Sequence, residues 1–198
     1  MSYELESVVL KSIDALKLQY ELNENAFFTE NDVICELFSI IKSNIDDAFQ
    51  VHSEIRPYFV DKEKFEIRCD KNTWVQCTKN NMGDVIDVVI FGPNETYFKE
   101  AFEKTKKYSC WRLLSHPVEL IKAAIEVKIR VNGNRKRVDW DINKLSLISA
   151  KNKTCLLLFL VLDRNAKASC LEQIKNECEQ ISLEKSIKIV CVTNKGKI

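Results

Sequence analysis

Charged side chains interrupt two apolar segments of the sequence, one at Asp87 and the other at Glu126 and Lys128. Asp87 lies in residues 84–91, which are otherwise rich in Val and Ile, and Glu126 and Lys128 stand two positions apart in residues 124–131. Side chains two positions apart in a strand emerge on the same face of the sheet. A charge in an apolar strand is costly unless it is paired or binds a metal. The pattern therefore indicates either a cation site or a structural pair on an edge strand, with Asp87 as a cap.

The elements that must position these side chains follow from the spacing of apolar residues. Helical spacing is found over residues 4–22 and again over 29–45, where Thr29 is a suitable N-cap. With only 4 Gly and 3 Pro, the chain is not a linker or a low-complexity segment. The remaining predicted helices are 95–110, 116–123, 139–149 and 166–180, and the predicted strands are 51–58, 65–69, 73–77, 84–91, 124–131, 155–162 and 187–193. This alternation predicts an α/β fold in one domain.

The ordered set of charged residues and elements resembles the PD-(D/E)XK nuclease superfamily, which has the restriction-endonuclease-like fold. A helix is followed by strands that carry Glu54, then Asp87, then Glu126-Val127-Lys128, and a helix with Lys144 precedes the apolar strand 155–162. The resemblance implies an α/β fold with an αβββαβ core, in which a central mixed sheet is flanked by helices. Ile86 stands where the superfamily's name has Pro.

The resemblance also implies a domain organisation, with a single nuclease-like domain over residues 1–198. Residues 1–28 would contribute an N-terminal helix, residues 30–162 the core, and residues 163–198 a C-terminal helix and strand. The separation between the two acids, 126 − 87 = 39 positions, exceeds that of a simple hairpin. It implies an insertion at about 93–122.

By the same resemblance, the chain would be a Mg²⁺-dependent endonuclease that hydrolyses phosphodiester bonds in DNA, of the restriction, repair or mobile-element type. Asp87, Glu126 and the backbone carbonyl of Val127 would hold the Mg²⁺, for which Mn²⁺ would substitute, and Lys128 would orient the attacking water. Carboxylate oxygens suit this hard cation. Asp84 is an alternative to Asp87 at the start of the strand. Glu54 is either a further metal ligand or an ordinary exposed strand residue, and Glu36 is expected as an accessory acid on the second helix.

The charge distribution bears on the partner of the protein. The formal net charge of +1 is the sum of −8 over residues 1–94, +5 over 95–144 and +4 over 145–198, so the second half of the chain is basic. A basic region can bind a polyanion through its phosphates. Residues expected to contact nucleic acid, unless they are ordinary surface residues, are Lys106, Lys107, Arg135, Lys136, Arg137 and Lys144, of which Lys144 could instead point at the active site.

Two other functions agree with the same residues. One is a catalytically silent nuclease-fold module that binds nucleic acid or a protein partner, and the other is an RNA-cleaving endonuclease domain of the viral type. A homodimer is one expected assembly, because double-strand cleavage by this fold often needs two copies. The eight cysteines include no C-x-x-C pair, which argues against a closed zinc site. Without a signal-like or membrane-spanning segment, the sequence predicts a cytoplasmic location.

Overall fold

The computed structural model describes residues 2–23, 27, 29–58, 86–94, 99, 115–132, 135–152, 154–163, 165–182 and 187–192. The predicted strands 65–69 and 73–77 and nearly all of the predicted helix 95–110 lie outside these residues. In chain order the elements are α1 (Ser2–Leu22), α2 (Glu30–Asn44), β1 (Gln50–Tyr58), β2 (Ile86–Phe91), β3 (Ser115–Pro117), a 3-10 turn (Val118–Leu120), β4 (Ile121–Lys128), α3 (Arg135–Lys151), β5 (Leu156–Leu162), α4 (Ala168–Ser182) and β6 (Ile187–Val192).

The strands form one mixed sheet in the order β3-β1-β2-β4-β5-β6. β2 lies between β1 and β4 and is antiparallel to both of them. β5 is parallel to β4 and β6 is parallel to β5. Parallel neighbours need a crossover connection, which α3 supplies between β4 and β5 and α4 supplies between β5 and β6. The predicted α/β class, with a mixed sheet flanked by helices, is confirmed.

Each face of the sheet is covered by a pair of helices. On one face, Val9, Ile13 and Leu16 of α1 and Leu37 and Ile41 of α2 join one buried cluster with apolar side chains of the central strands. On the other face, α3 and α4 pack over a second cluster; its members from these two helices are Val138, Ile142, Leu145, Ile148, Leu171, Ile174 and Cys178. The strands are therefore apolar on both faces, as expected for a sheet buried between two helical layers.

A capping box fixes the start of α2, as the sequence predicted from Thr29. The Thr29 side chain accepts a hydrogen bond from the Asp32 backbone N–H, and the Asp32 side chain accepts one from the Thr29 backbone N–H. The box satisfies donors that a helix start otherwise leaves unpaired. It also places Glu30 in the first turn of the helix.

Three predicted elements differ from the structure, one of them the strand predicted at 124–131, which is observed as β4 at Ile121–Lys128. The predicted helix over 116–123 is wrong, because Ser115–Pro117 is a short strand that pairs in parallel with β1, and β4 already begins at Ile121. Over so short a segment, the spacing of the apolar residues is compatible with both the helical and the strand period. The helix predicted at 139–149 begins earlier, at Arg135. No helix among the described residues is both long and apolar enough to span a bilayer.

Candidate metal and catalytic site

Asp87 and Glu126 face each other across two neighbouring strands. Val88 of β2 pairs with Ile125 of β4, and continuing this antiparallel register by one residue sets Asp87 opposite Glu126. The Asp87 carboxylate also accepts a hydrogen bond from the Val127 backbone N–H, with 2.8 Å between Oδ2 and N. Like charges directly opposite in a sheet repel each other. The pair therefore needs a cation or a proton.

β4 directs Glu126 and Lys128 to the sheet face that α3 covers. Ala124, two positions before Glu126, belongs to the apolar cluster on this face, whereas Ile125 and Val127 belong to the cluster under α1 and α2. Glu126 has no exposed surface and Lys128 is 7% exposed. The alternation that the sequence predicted thus buries both charged side chains on one side of the sheet.

α3 runs antiparallel to β4 and contacts it at three levels. At the far end, Asn152, the residue that follows α3, donates a hydrogen bond from Nδ2 to the Ile121 carbonyl at 2.7 Å. Nearer the carboxyl end of β4, Lys144 contacts Glu126 and Asp141 contacts Lys128. These three contacts fix the position of α3 along the strand. They bring the polar residues to the carboxyl ends of β4 and β5, where ligands of α/β sheets commonly bind.

The charged side chains form a continuous chain of ion pairs from α2 through β4 to α3. Lys128 Nζ lies 3.2 Å from Glu30 Oε2 and 2.9 Å from Asp141 Oδ2. Lys144 Nζ lies 2.8 Å from Asp141 Oδ1 and 2.7 Å from Glu126 Oε1. Asp141 therefore bridges the two lysines, and each lysine bridges Asp141 to a second acid.

Burial shifts the acids of this site toward their neutral forms. Burial raises the pKa of Glu126 well above its ordinary value, and the nearby charge of Asp87 raises it further against the opposing effect of Lys144. Burial also raises the pKa of Asp87, although the Val127 N–H and the charges of Lys128 and Lys144 lower it in part. The ionised forms of both acids are stabilised by added positive charge.

The two lysines are held in their charged forms. Burial on its own would lower the pKa of Lys128, but Asp141, through its charge and its hydrogen bond, together with Asp87 and Glu30, raises that pKa overall. For Lys144, burial is again outweighed, by Glu126 and Asp141, and the pKa is raised. Both ammonium groups are permanent cations at neutral pH.

The donor set fits a magnesium-type cation. With every group ionised, four acids (Glu30, Asp87, Glu126 and Asp141) and two lysines leave a charge of −4 + 2 = −2, which one divalent cation balances. Glu126 Oε1 lies 2.7 Å from Lys144 Nζ, whereas Oε2 has no hydrogen-bond partner among the described residues. The Oε2 oxygen is available as a ligand.

The described residues contain no group of three or more His, Cys, Asp or Glu side chains arranged to hold a metal, because the lysines stand between the carboxylates. Mg²⁺ characteristically needs only one or two protein carboxylates and keeps several waters or substrate phosphates as its other ligands. The pair Asp87 and Glu126 meets that requirement.

The structure brings together the three residues predicted as catalytic, Asp87, Glu126 and Lys128, and it adds Lys144 to them. The sequence left open whether Lys144 contacts nucleic acid or points at the active site. In the structure it lies at the site, and its side chain is only 9% exposed. Glu30 and Asp141 were not predicted as members of the site. In the sequence, Glu30 is an ordinary first-turn acid of a helix, and the i,i+3 spacing of Asp141 and Lys144 is typical of a surface pair.

Other predicted residues lie elsewhere or outside the described part of the chain. Glu36, the predicted accessory acid, is half-buried on α2, where it accepts a hydrogen bond from Gln19 on α1 at 3.0 Å. Glu54 lies on β1, but its side chain is outside the described set, and Asp84, Lys106 and Lys107 are outside it entirely. The role of the Val127 carbonyl stays a prediction.

The predicted basic loop at Arg135, Lys136 and Arg137 is instead the first turn of α3. The side chain of Arg137 is exposed, and those of Arg135 and Lys136 are outside the described set. The nucleic-acid contact predicted for these three residues stays a prediction.

Comparison with known proteins gave no match: no family model, no curated protein and no solved structure is similar to this chain.

Proposed function

We propose that the protein is a Mg²⁺-dependent endonuclease that hydrolyses phosphodiester bonds in DNA. The observation that carries the proposal is the fully buried Glu126 set opposite Asp87, with the ammonium groups of two lysines beside them. Buried acids that repel each other destabilise a fold. Such a pair is explained if it binds a cation.

The topology supports the proposed nuclease core. Among the described elements, α2, β1, β2, β4, α3 and β5 come in the order α, β, β, β, α, β once the short edge strand β3 is set aside. β1, β2 and β4 form an antiparallel series, and β5 joins β4 in parallel. This element order and a mixed sheet are what the resemblance to PD-(D/E)XK nucleases implies.

The chain's own residues account for the parts of the reaction that a metal does not supply. Asp87, Glu126 and the Val127 carbonyl would hold Mg²⁺, which when bound would polarise the scissile phosphate and would lower the pKa of a water. A lysine beside these acids donates hydrogen bonds to the attacking water and to the oxygens on which negative charge develops. The basic first turn of α3 contributes phosphate contacts that hold the DNA.

Isosteric neutral variants of the two acids test the function. We expect Asp87→Asn and Glu126→Gln to lower Mg²⁺-dependent cleavage by at least about 10²-fold, because each removes a charged ligand. Cleavage of supercoiled, linear, single-stranded and branched DNA and of RNA is measured with Mg²⁺ and with EDTA. Asp14→Asn and Glu172→Gln are matched controls, since both acids are exposed on helices.

The outcomes separate the alternatives. Cleavage of RNA but not DNA would favour the RNA-cleaving endonuclease, and DNA binding without cleavage by the parent protein would favour the catalytically silent module. If Asp87→Asn or Glu126→Gln cuts as fast as the parent, the site assignment is wrong.

A further inference from the structure

We propose that Lys144, on α3, is the catalytic lysine of this site, and that Asp141 is its positioning residue. Lys128, the lysine of the Glu126-Val127-Lys128 motif, would instead tie the strand to α2. The inference rests on the proposed nuclease function and changes which side chain performs its central step.

Contact with Glu126 distinguishes the two lysines, whereas the charges of both lysines act on Asp87. Lys144 Nζ lies 2.7 Å from Glu126 Oε1. Lys128 Nζ makes its ion pairs with Glu30 and Asp141, and within the described residues it forms none with Glu126. A group that orients the attacking water must lie beside the ligands that hold the metal. Lys144 meets this condition.

The geometry of the strand explains the difference. Glu126 and Lys128 share a face, but residues two apart in a strand are separated by about 7 Å along it. Lys128 stands at the last position of β4, and its side chain spans the end of the strand to the first turn of α2. α3 crosses over Glu126 itself, and Lys144 is the α3 residue that contacts it.

Asp141 fixes both ammonium groups with one carboxylate. Its Oδ1 lies 2.8 Å from Lys144 Nζ and its Oδ2 lies 2.9 Å from Lys128 Nζ. All three side chains are at least nine-tenths buried. A buried lysine held by two acids has little freedom to rotate, so its N–H groups are already aimed when the substrate arrives. Asp141 acts through Lys144 and touches no substrate atom.

Lys144 keeps its proton throughout the proposed step. A water oxygen forms a bond to phosphorus while the bond from phosphorus to the leaving ester oxygen breaks. The water gives a proton to the solvent, and the leaving oxygen takes one from the solvent, which yields a phosphate monoester and an alcohol. The ammonium group of Lys144 donates hydrogen bonds to the water and to a phosphate oxygen that gains charge.

Parallel substitution of the two lysines tests the inference. We expect Lys144→Met to lower kcat by about 10²-fold or more while KM for DNA changes less than about threefold. Calorimetric titration should show that it still binds Mn²⁺ at pH 8. Lys128→Met should retain kcat within about tenfold but unfold at lower urea, because it leaves Glu30 and Asp141 short of a partner. Lys175→Met, at an exposed position on α4, is the matched control.

A double substitution tests the positioning role of Asp141. Asp141→Asn should lower kcat less than Lys144→Met does, and the double variant should be no slower than Lys144→Met alone, because Asp141 acts through that lysine. Lys144→Arg, which keeps the charge, should recover part of the lost kcat and serves as the test variant if Lys144→Met does not fold.

Two results would overturn the assignment. One is a larger loss of kcat in Lys128→Met than in Lys144→Met, and the other is additive losses from Asp141→Asn and Lys144→Met. A parent protein that cleaves no nucleic acid with any divalent metal would instead refute the proposed function as a whole.

Discussion

Glu126 is the residue that sets the chemistry of the site, because it is fully buried and its ionised form is disfavoured. An acid whose pKa is raised by folding stays protonated over a pH range in which the unfolded chain is already ionised. The native state then binds more protons than the unfolded state, so stability falls as the pH rises above the ordinary value of 4.5. Glu126 thus lowers the stability of the metal-free protein at neutral pH.

Replacing this acid by its neutral isostere should stabilise the metal-free protein. We expect Glu126→Gln to raise the free energy of unfolding at pH 8, because the neutral amide avoids the cost of burying an ionised carboxylate beside Asp87. Urea unfolding in EDTA at several pH values measures the difference, which should disappear as the pH falls toward 4.5. Glu172→Gln, on the exposed side of α4, should show no such pH-dependent gain. A less stable Glu126→Gln at pH 8 would contradict the argument.

At the residue scale, the sequence predicted which charges share a face but not how they pair. Glu126 and Lys128 were identifiable because strand side chains alternate, and Asp87 because it interrupts an apolar run. Glu30 could not be identified, because its contact with Lys128 depends on where the start of α2 meets the end of β4. Helix packing decides that contact, and no local spacing encodes it.

α3 is the element that joins the buried site to the protein surface. At its amino end Arg137 and Trp140 are exposed, one to two turns before the buried Lys144. Residues three and four apart share one side of a helix, so Arg137, Trp140, Asp141 and Lys144 form a single stripe. An exposed aromatic side chain beside a cation is the combination on which nucleic-acid bases stack.

This arrangement predicts that Trp140 contacts the nucleic acid. In a ¹⁹F NMR spectrum of protein labelled with 5-fluorotryptophan, the resonance that Trp140→Phe removes should shift when single-stranded DNA is added. Trp140→Ala should weaken DNA binding by about 5-fold to 10²-fold, since stacking contributes about 1–3 kcal/mol per base. Leu22→Ala, which truncates another exposed apolar side chain, is the control. An unshifted Trp140 resonance at saturating DNA would exclude this contact.

At the element scale, periodicity was a good guide for long segments and a poor one for short ones. α1, α2, β5, α4 and β6 lie within a few residues of their predicted bounds. The first turn of α3 was missed because Arg135, Lys136 and Arg137 give no apolar signal after the Asn-Gly turn. β3 was missed because three residues are too few to establish a period. Its strand conformation depends on pairing with β1, which is distant in the sequence.

The whole molecule separates its stabilising layer from its charged layer. α1 and α2 pack an apolar cluster on one face of the sheet, and Glu126, Asp141 and Lys144 lie on the other face, under α3, while Lys128 links that face to Glu30 at the start of α2. Tyr20 also joins α1 to the end of β5 through a hydrogen bond from its hydroxyl to the Leu162 carbonyl. Changes in the interior of the α1 and α2 layer should therefore alter stability without altering the chemistry.

Truncation of one core leucine tests that separation. We expect Leu37→Ala, at a fully buried position of α2, to lower the free energy of unfolding by about 2–5 kcal/mol through lost contacts and a cavity. Leu18→Ala, at a position 55% exposed on α1, should change it by less than about 0.5 kcal/mol. Urea unfolding gives both values. Below the unfolding transition, Leu37→Ala should bind Mn²⁺ as the parent does, and a large loss of affinity would show that the layers are coupled.

At the molecular scale, the sequence indicated the α/β class and the order of the elements, both of which follow from local patterns. The order of the strands within the sheet was not predicted. Composition and periodicity do not say that β2 lies between β1 and β4, because hydrogen bonds between distant segments determine that order.

The dispersion of the site along the chain has a consequence for biosynthesis. Its charged residues come from α2, β2, β4 and α3, and the last of them in sequence is Lys144. A nascent chain that ends before α3 holds Asp87 and Glu126 but neither Asp141 nor Lys144. No amino-terminal fragment that ends before Lys144 contains the complete ion-pair network. Contacts between segments so distant in the sequence form slowly. The growing polypeptide thus acquires its full set of charges only after most of the sheet has been synthesised.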